Sequence, residues 1–387
     1  MKVSRTIRKV LCLAAALLTL AFSCAAEGAF EIDDEGLDLT EKLSVHYPVV
    51  TGGTDDEMLR QVNGLVREKC GIEAYLTRMA ALLSGGRLKA DWKGGILNDV
   101  LSCAVSASGA VEDTRNTFVW TAVSADLRDG HEIFFGELFT DEDTAREKIR
   151  VYLEEQIVPE LSAHLQNSDL TPIPERFLLE KTGLTLLYPV EQLSTLSDRA
   201  GDIRVGWNVL EDVLNLSEGS IPDRIGVRDM ISLTENGAER IRAVVETGGL
   251  TDVPAWIGDS VQELTDRYHT LTDWDGIEDG RLFALEGGCF RGVYLMTDNL
   301  TEDWKDSKVQ GIRMDEGCLW GLCPGRTARA EWLAVLGEPE WTTVVDEEKA
   351  DANRLVPGNC DNYWYGAYLL QLYSDENGTL ASVMVTE

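Results

Sequence analysis

The stretch LSVHYPVV at 43–50, followed by TGGTDDEMLRQVNGLV at 51–66, decides the fold class of this chain. The first eight residues have the composition of a β-strand. The next segment opens on Thr54-Asp55-Asp56-Glu57, a capping-box pattern, and its apolar residues then recur at i, i+3, i+4 spacing. We therefore predict a strand over Leu43–Val50 and an amphipathic helix that reaches Cys70 and continues towards Leu83.

Strand and helix patterns continue outward from this stretch. Strand-like runs occupy Leu88–Lys93, Ile96–Ala107 and Thr117–Leu127, and the last of them ends at the hairpin signal Asp129-Gly130. A second amphipathic helix is predicted from about Glu142, because apolar residues again follow helical spacing. Such a pattern is typical of an antiparallel sheet packed on helices, so we predict an α+β domain over 41–216.

Several short motifs in this first half resemble a known family. They are Asp129-Gly130, Glu137-Leu138-Phe139, Phe177-Leu178-Leu179, Gly183 to Tyr188, Gly201, Ile203 and Val205. Together they resemble a bacterial extracytoplasmic domain of unknown function shared by the lysozyme-sensing anti-sigma factor RsiV and the peptidoglycan deacetylase PdaC. The resemblance implies an envelope location and a lysozyme-like partner. Glu191-Gln192-Leu193 departs from the Tyr-Glu-containing segment usual in that family.

The second half, 227–387, carries an internal repeat. Gly258-Asp259-Ser260 and Gly325-Arg326-Thr327 each precede a predicted helix, and they lie 67 positions apart. Each copy is predicted as a β-α-β-β unit. Its strands are Ile241–Glu246, Arg281–Glu286 and Phe290–Met296 in the first copy, and Val309–Met314, Tyr365–Tyr373 and Leu380–Val385 in the second. Two such units in one sheet resemble the tandem repeats of β-lactamase-inhibitor-protein-like and outer-membrane-lipoprotein-like domains, which are binding or assembly modules.

Three segments outside these domains have other patterns. Residues 217–226 contain Gly219 and Pro222, which break helix and strand patterns, and we predict a linker there. Residues 27–40 are predicted as an acidic spacer.

Residues 1–26 have a basic start, an apolar run over Val10–Ser23 and small residues up to Ala26, which predicts a secretory signal peptide. Ala21-Phe22-Ser23-Cys24 partly resembles a lipobox, in which Cys24 would be acylated. We therefore expect an extracytoplasmic protein, secreted or membrane-anchored at the cell envelope.

The charge of the chain restricts its partners. It has 35 basic and 67 acidic residues, a formal charge of −32, and the signal peptide holds four of the cations, so the mature chain carries −36. Such a charge repels nucleic acid and anionic membrane surfaces, and it favours a basic protein partner or simple solubility. The sequence does not predict the oligomeric state.

Six cysteines remain outside the signal peptide: Cys70, Cys103, Cys289, Cys318, Cys323 and Cys360. An even number in an extracytoplasmic chain predicts disulfides. We expect Cys70–Cys103 in the first domain, with Cys318–Cys323 and Cys289–Cys360 as the preferred arrangement in the second. The alternative is that Cys70 and Cys103 are buried thiols on a helix and a strand.

The sequence lacks the common short motifs of catalysis and cofactor binding. The sequence contains no GxSxG, HExxH, P-loop or GxGxxG motif, and we predict neither catalytic activity nor a cofactor. The nearest approach to a calcium loop has Asp273, Asp275 and Asp279 as its ligands, although a polar turn is the simpler interpretation.

Aromatic residues supply the candidate binding site. Seven of the ten tryptophans lie in the second half: Trp256, Trp274, Trp304, Trp320, Trp332, Trp341 and Trp364. Tyr363-Trp364-Tyr365, with Asp361 nearby, could contact a sugar or anchor a protein. Strand alternation should turn Tyr363 and Tyr365 to one face and Trp364 to the other. The alternative is that most of these rings fill the core.

These features predict a non-catalytic extracytoplasmic binding protein that recognises a basic protein such as a lysozyme-like muramidase. Recognition of peptidoglycan or another wall glycan is the alternative. A carboxylate-dependent wall hydrolase is the third hypothesis.

Overall fold

The computed structural model describes residues 29–110, 117–158, 172–188, 202–250, 253, 255–268, 271–278, 280–285, 292–298 and 306–387. The predicted signal peptide and Cys24 lie outside these residues. The α+β class is confirmed, because helices pack against three sheets in the described part of the chain. Within the same part, no helix combines the length and the apolar character needed to cross a membrane.

The first sheet has five strands in chain order. They are β1 (Phe30–Thr40), β2 (Leu43–Gly52), β3 (Leu88–Leu97), β4 (Val100–Gly109) and β5 (Thr117–Asp126). Pairing is antiparallel except between β2 and β3, which two intervening helices connect as a parallel pair. The structure differs from the sequence prediction at β1: residues of the acidic spacer form an edge strand that pairs along β2.

Two helices cover one face of this sheet, α1 (Asp56–Lys69) and α2 (Ile72–Ala81). The Asp55 carboxylate caps α1 by accepting the backbone N–H groups of Glu57 and Met58. The predicted continuous helix is divided at Gly71, whose φ of 67° is left-handed and ends the helical path.

The other face of β4 and β5 is covered by a three-stranded sheet. Its strands are β6 (Phe177–Leu179), β7 (Gly183–Leu187) and β8 (Asp202–Gly206). Ala104 on β4 packs against Leu178 and Leu187. Helix α3 (Glu142–Tyr152), which was predicted from about Glu142, continues into a π-helical turn over Leu153–Ile157.

Short helices join the two halves. They are α4 (Trp207–Leu210), α5 (Ile221–Arg224), α6 (Val227–Ile231) and α7 (Glu235–Val245). The predicted linker 217–226 therefore contains a helix, in which Ile221 and Pro222 are buried. One hydrophobic cluster extends from Val100 through these helices to Val385, so both halves contribute to one core.

The prediction of a strand at Ile241–Glu246 was wrong, because α7 extends to Val245 and Glu246 is its C-cap. Ile241 and Val245 are both buried at i, i+4 spacing, and Thr234 caps the helix through the Gly237 N–H. A short apolar run is compatible with either structure, and helical packing decided this one.

The third sheet contains both copies of the repeat. In chain order its elements are α8 (Val261–Tyr268), β9 (Leu271–Ile277), β10 (Gly280–Leu285), β11 (Val293–Thr297), β12 (Gly311–Met314), α9 (Arg329–Leu336), β13 (Trp341–Val345), α10 (Glu347–Asn353), β14 (Gly358–Tyr365), β15 (Tyr368–Asp375) and β16 (Leu380–Thr386). The strand order is β13-β14-β15-β16-β12-β11-β10-β9. The two copies do join in one sheet, with β12 paired to β16 at the seam. The first copy is a helix followed by four antiparallel strands, and the second has the same elements with α10 inserted between β13 and β14.

The two faces of this eight-stranded sheet differ. One face is buried under α7 and α9, where Trp332 packs with Leu370 and Val385 in the main core. The opposite face carries Trp341, Trp364, Gln371, Met384 and Arg313, and we call it the open face. Helix α10 crosses part of it, with Ala350 packed against Cys360, Tyr373 and Met384.

Candidate functional site

Strand alternation separates the three predicted aromatic residues as expected. Tyr363 and Tyr365 are buried beneath the helices, and the Tyr363 hydroxyl donates to the Gly337 carbonyl at 3.0 Å. Trp364 points to the open face and is 45 % exposed. Only Trp364 of the three is therefore accessible as a binding residue.

Asp361 was predicted as a ligand-binding residue, but it is buried and both of its carboxylate oxygens accept hydrogen bonds from within the protein. Arg329 donates to both of its carboxylate oxygens at 2.7 and 2.8 Å, and Trp332 Nε1 and the Thr342 hydroxyl donate at 3.1 and 2.7 Å. Burial opposes ionisation, but these hydrogen bonds outweigh it and lower the pKa of Asp361. Asp361 anchors β13 and α9 to β14 and is not available to a ligand.

Trp364 has a partner that sequence analysis did not single out. Trp341 on β13 is opposite Asn362, so it shares the open face with Trp364. The two ring centroids are 6.4 Å apart at an interplanar angle of 48°, and Trp341 is 41 % exposed. We call Trp341 and Trp364 the tryptophan pair. The contact between the two rings depends on the register of β13 against β14, which the amino-acid sequence of either strand does not reveal by itself.

A groove of about 670 Å³ lies beside the tryptophan pair on the open face. Its lining is mixed: the apolar part includes Leu282, Met296, Val345, Leu355, Cys360, Tyr373 and Met384, and the polar part includes Gln310, Arg313, Lys349, Gln371 and Glu387. Arg313 holds α10 over the groove, because its guanidinium donates to the Asn353 carbonyl at 3.1 Å and to the Arg354 carbonyl at 2.6 Å. Asp315 accepts two further bonds from Arg313 at 2.7 Å each.

The residues around the groove are predominantly acidic. Helix α10 and its N-terminal cap carry the exposed carboxylates of Asp346, Glu347, Glu348 and Asp351 outside the lining. Glu387 lines the groove, and Glu278 accepts from the lining residue Asn353 at 3.4 Å. The cations in this region are Arg313, Lys349 and Arg354, and the first two line the groove. The exposed carboxylates around the groove therefore favour a basic ligand on the open face, whereas the groove lining itself holds two cations and one carboxylate.

The cysteines agree with the prediction in part. Cys318 and Cys323 form the expected disulfide. Cys70 and Cys103 are free buried thiols, which is the alternative interpretation, and Cys360 is also free. The end of α1 places Cys70 in contact with Cys103, and a hydrogen bond between the thiols together with burial raises the pKa of Cys103. Cys289 lies outside the described residues.

The calcium candidate does not have the expected loop structure. Asp273 and Asp275 lie on strand β9, which pairs with β10 through Asp275 and Leu282, and Asp279 lies outside the described residues. A paired strand cannot wrap its backbone around an ion as a calcium loop does.

A second cluster of polar residues lies at the end of β5, and sequence analysis missed it. One ligand atom each of Asp126, Asp129 and His131 lies within 4.8 Å of the others. Asp126 has no exposed surface, and it accepts from Arg224 at 2.6 and 2.8 Å and from Arg128 at 2.7 Å. A metal ion here would have to displace two guanidinium groups. The cluster is therefore an ion-pair network that joins β5 to α5.

His131 belongs to the edge of this network. It contacts Asp129 at 2.7 Å and Glu137 at 3.3 Å. Burial alone would lower the pKa of His131, but the two carboxylates outweigh it and raise that pKa.

Comparison with known proteins gives only distant similarities. No family model and no curated protein matches the chain. A DUF3298-family structure from Bacteroides fragilis is 15% identical and covers 52% of this chain and 99% of its own, with a TM-score of 0.39. A DUF3298-family structure from Pseudomonas aeruginosa is 12% identical and covers 48% of this chain and 94% of its own, with a TM-score of 0.33. A DUF4309-family structure from Bacillus subtilis is 9% identical and covers 40% of this chain and 97% of its own, with a TM-score of 0.28. All three are named as members of domain-of-unknown-function families.

Proposed function

We propose that this chain is a non-catalytic binding protein of the bacterial cell envelope, and that its open face recognises a basic protein. The tryptophan pair carries this proposal. Two large rings that are 41 % and 45 % exposed and lie side by side on a sheet face that α10 covers only in part are costly to leave in water. Tryptophan is also enriched among the residues that dominate protein interfaces.

Charge supports a basic partner. The chain carries −32, and the acidic residues near the groove lie on the same face as the tryptophan pair. A lysine or arginine of the partner can lie over a tryptophan ring, an interaction worth about 0.5–1 kcal/mol at exposed sites. The two effects act together, because the acidic surface attracts the cations that the rings then bind.

A lysozyme-like muramidase is our first candidate for the partner. Such enzymes are small and strongly basic, and they attack the envelope in which the predicted signal peptide would place this protein. The resemblance of 41–216 to the domain shared by RsiV and PdaC implies the same partner.

A wall glycan is the second candidate, and the tryptophan pair is the observation that favours it. Sugar rings stack on exposed aromatic rings. However, sugar binding also needs hydrogen-bonding groups beside the rings, and the adjacent Asp361 and Asn362 are buried and bonded within the protein. We therefore rank the protein partner first.

Binding kinetics of the immobilised protein test the proposal. The ligands are lysozyme, an unrelated protein of equal positive charge, and isolated sacculi. We expect lysozyme to bind more tightly than the control protein, and Trp364→Ala to weaken that binding by about tenfold or more, as expected for an interface hot spot. Trp256→Ala is the matched control, because Trp256 is 47 % exposed but lies in the loop after α7.

Two outcomes would contradict the protein proposal. Equal binding of both basic proteins would mean that charge alone acts. Binding of sacculi that is lost in Trp364→Ala, with no binding of lysozyme, would favour the glycan.

A further inference from the structure

Strand β13 forms one edge of the eight-stranded sheet, and its outer side is open. Among the described residues it pairs with β14 alone, in an antiparallel register without a bulge. Residues 341–344 are all exposed, although their side chains alternate between the two faces of the sheet. The strand is therefore accessible from both faces. An open edge of this kind presents unpaired N–H and C=O groups that can pair with another strand.

The composition of β13 does not protect this edge against pairing. Proteins commonly protect edge strands with charged side chains, proline or β-bulges. The strand reads Trp-Thr-Thr-Val-Val and has none of these features. Strand β9, at the opposite edge of the same sheet, contains two aspartates and an irregular register against β10. Of the two edges, β13 is the one that suits an added strand.

Acidic residues at both ends of β13 select what can pair there. Glu340 comes immediately before the strand and Asp346 immediately after it, and both are exposed. Further exposed carboxylates lie within three residues of the strand ends, those of Glu338, Glu347 and Glu348. The nearest cation in the sequence, Lys349, lines the groove. Both ends of the open edge are therefore acidic.

These carboxylates disfavour a second copy of the chain as the occupant. If two β13 strands paired antiparallel about Thr343, Glu340 of each copy would lie opposite Asp346 of the other. A parallel pair in register would place the two Glu340 side chains next to each other. Like charges opposite each other destabilise a pair of strands. The ends of β13 instead match a strand that has lysine or arginine at both of its ends.

The side chains of β13 indicate what suits the middle of the added strand. Trp341 belongs to the tryptophan pair, so an added strand extends the open face beside that pair. Val344 lies on the other face of the sheet and is 67 % exposed. Apolar or β-branched side chains on both faces of the added strand would cover these two residues.

We propose that β13 accepts an extended segment of the basic partner as an additional strand, paired along its outer edge, with lysine or arginine at both ends of the segment. This inference rests on the proposed function, since it assigns the segment to that partner. In this mode of recognition the main-chain hydrogen bonds give affinity, and the side chains of the added strand give specificity.

Synthetic peptides test the inference. Two peptides share the same β-branched core, one flanked by lysines and the other by glutamates, and their binding is followed by fluorescence anisotropy. Two further lysine-flanked peptides carry N-methyl groups on alternate residues, at the odd positions in one and at the even positions in the other. Because successive N–H groups of a strand point to opposite sides, only one of these two sets faces β13.

We expect the lysine-flanked peptide to bind at least about tenfold more tightly than the glutamate-flanked one at low ionic strength. One N-methylated peptide should lose about tenfold or more in affinity, as expected when two or more backbone hydrogen bonds are blocked, and the other should bind like the unmodified peptide. Hydrogen exchange should slow at the β13 amides when the peptide binds and stay unchanged at β9, the control edge.

Charge reversal tests the role of the strand ends. Glu340→Lys with Glu347→Lys should abolish the preference for the lysine-flanked peptide. The matched control is Glu376→Lys with Glu235→Lys, which should keep it. Glu376 is exposed in the turn between β15 and β16, and Glu235 lies in the first turn of α7 as Glu347 does in α10. Thermal unfolding identifies a variant that fails to fold, and the N-methyl comparison needs only the wild-type protein.

The outcomes separate this inference from the proposed function. If lysozyme binds in a Trp364-dependent way but the peptide does not protect β13, the edge inference is overturned and the proposed function stands. If lysozyme does not bind but the peptide protects β13 and one N-methylated set blocks it, the edge inference stands and the muramidase assignment falls.

Three other results overturn the edge inference. They are equal binding of the lysine-flanked and glutamate-flanked peptides, equal affinities of the two N-methylated peptides, and a wild-type dimer in sedimentation whose β13 amides are protected. The last result would make a second copy of the chain the occupant of the edge.

Discussion

The substitution Asp126→Asn tests the ion-pair network that joins β5 of the first half to α5, one of the short helices between the two halves. The Asp126 side chain has no exposed surface and receives two bonds from Arg224, whose side chain is 9 % exposed. Asparagine keeps the shape but removes the charge, so the Arg224 guanidinium stays buried without its main counterion. Asp99, which lies 2.7 Å from Arg224, remains as a weaker and more exposed partner.

Removing one member of a buried pair costs about 3–5 kcal/mol. Because Asp99 compensates in part, we expect a loss near the lower limit, about 3 kcal/mol in the free energy of unfolding. The matched control is Asp129→Asn, three residues away and well exposed, for which we expect less than about 1 kcal/mol.

The pH dependence gives a second readout of the same residue. Burial opposes ionisation of Asp126, but bonds from Arg224 and Arg128 outweigh it and hold the pKa of Asp126 well below its usual value. A lowered folded-state pKa contributes stability that is fully present above the unfolded value of about 3.9 and is lost as pH falls below it. The stability difference between wild type and Asp126→Asn should therefore shrink between neutral pH and about pH 3, near the unfolded pKa.

Guanidinium unfolding followed by tryptophan fluorescence measures both effects. A loss of less than about 1 kcal/mol in the free energy of unfolding, the range of exposed ion pairs, would refute the argument that this network is buried and stabilises the contact between β5 and α5. So would a difference that stays constant as the pH is lowered.

Three further predictions concern β1, the partner and the cysteines. Protonated His46 on β2 donates to the carboxylates of Asp34 and Asp38 on β1 at 3.0 and 3.2 Å, and these bonds raise the pKa of His46. They therefore stabilise β1 fully below about pH 6.5, the unfolded value, and the stabilisation is lost as pH rises through the folded pKa. The protection factors of β1 amides, which are exchange rates corrected for the intrinsic effect of pH, should fall over that window in wild type and stay constant in His46→Gln. The on-rate for a basic partner should fall steeply from low to physiological ionic strength, because the electrostatic field of the acidic protein decays over about 8 Å at physiological salt. The off-rate, which close contacts set, should change little. An unchanged on-rate would contradict electrostatic steering. Native alkylation should leave Cys70 and Cys103 unlabelled and denaturation should expose both, as mass spectrometry would show; a Cys70–Cys103 peptide in unreduced protein would contradict the structure.

The fold was predictable where local physics decides it. Helix α1 begins at a capping residue and shows apolar residues at helical spacing, and β3, β4 and β5 show strand-like composition between turn signals. The repeat in the second half could be recognised because the glycine-containing turn that precedes a predicted helix occurs twice, 67 positions apart. These signals act over a few residues, so the sequence alone contains them.

The prediction failed where one sequence pattern is compatible with both a helix and a strand. It also failed where pairing with a distant segment decides the secondary structure. Ile241–Glu246 is short and apolar, and its burial against the core as a helix overrides its strand-like composition. The acidic β1 has little apolar surface of its own, and it becomes a strand because β2 offers it hydrogen bonds along its length.

The sequence by itself determined the α+β class, the acidic character, the internal repeat and the alternation that turns Trp364 away from Tyr363. Only the tertiary structure decided which face of the sheet the helices cover, and so which of these rings reaches solvent. It also decided that the Asp361 carboxylate is hydrogen-bonded to Arg329, and that the Trp341 ring lies beside the Trp364 ring on the neighbouring strand. The physical reason is that exposure and pairing depend on residues distant in the chain, whose register and packing only the folded core defines.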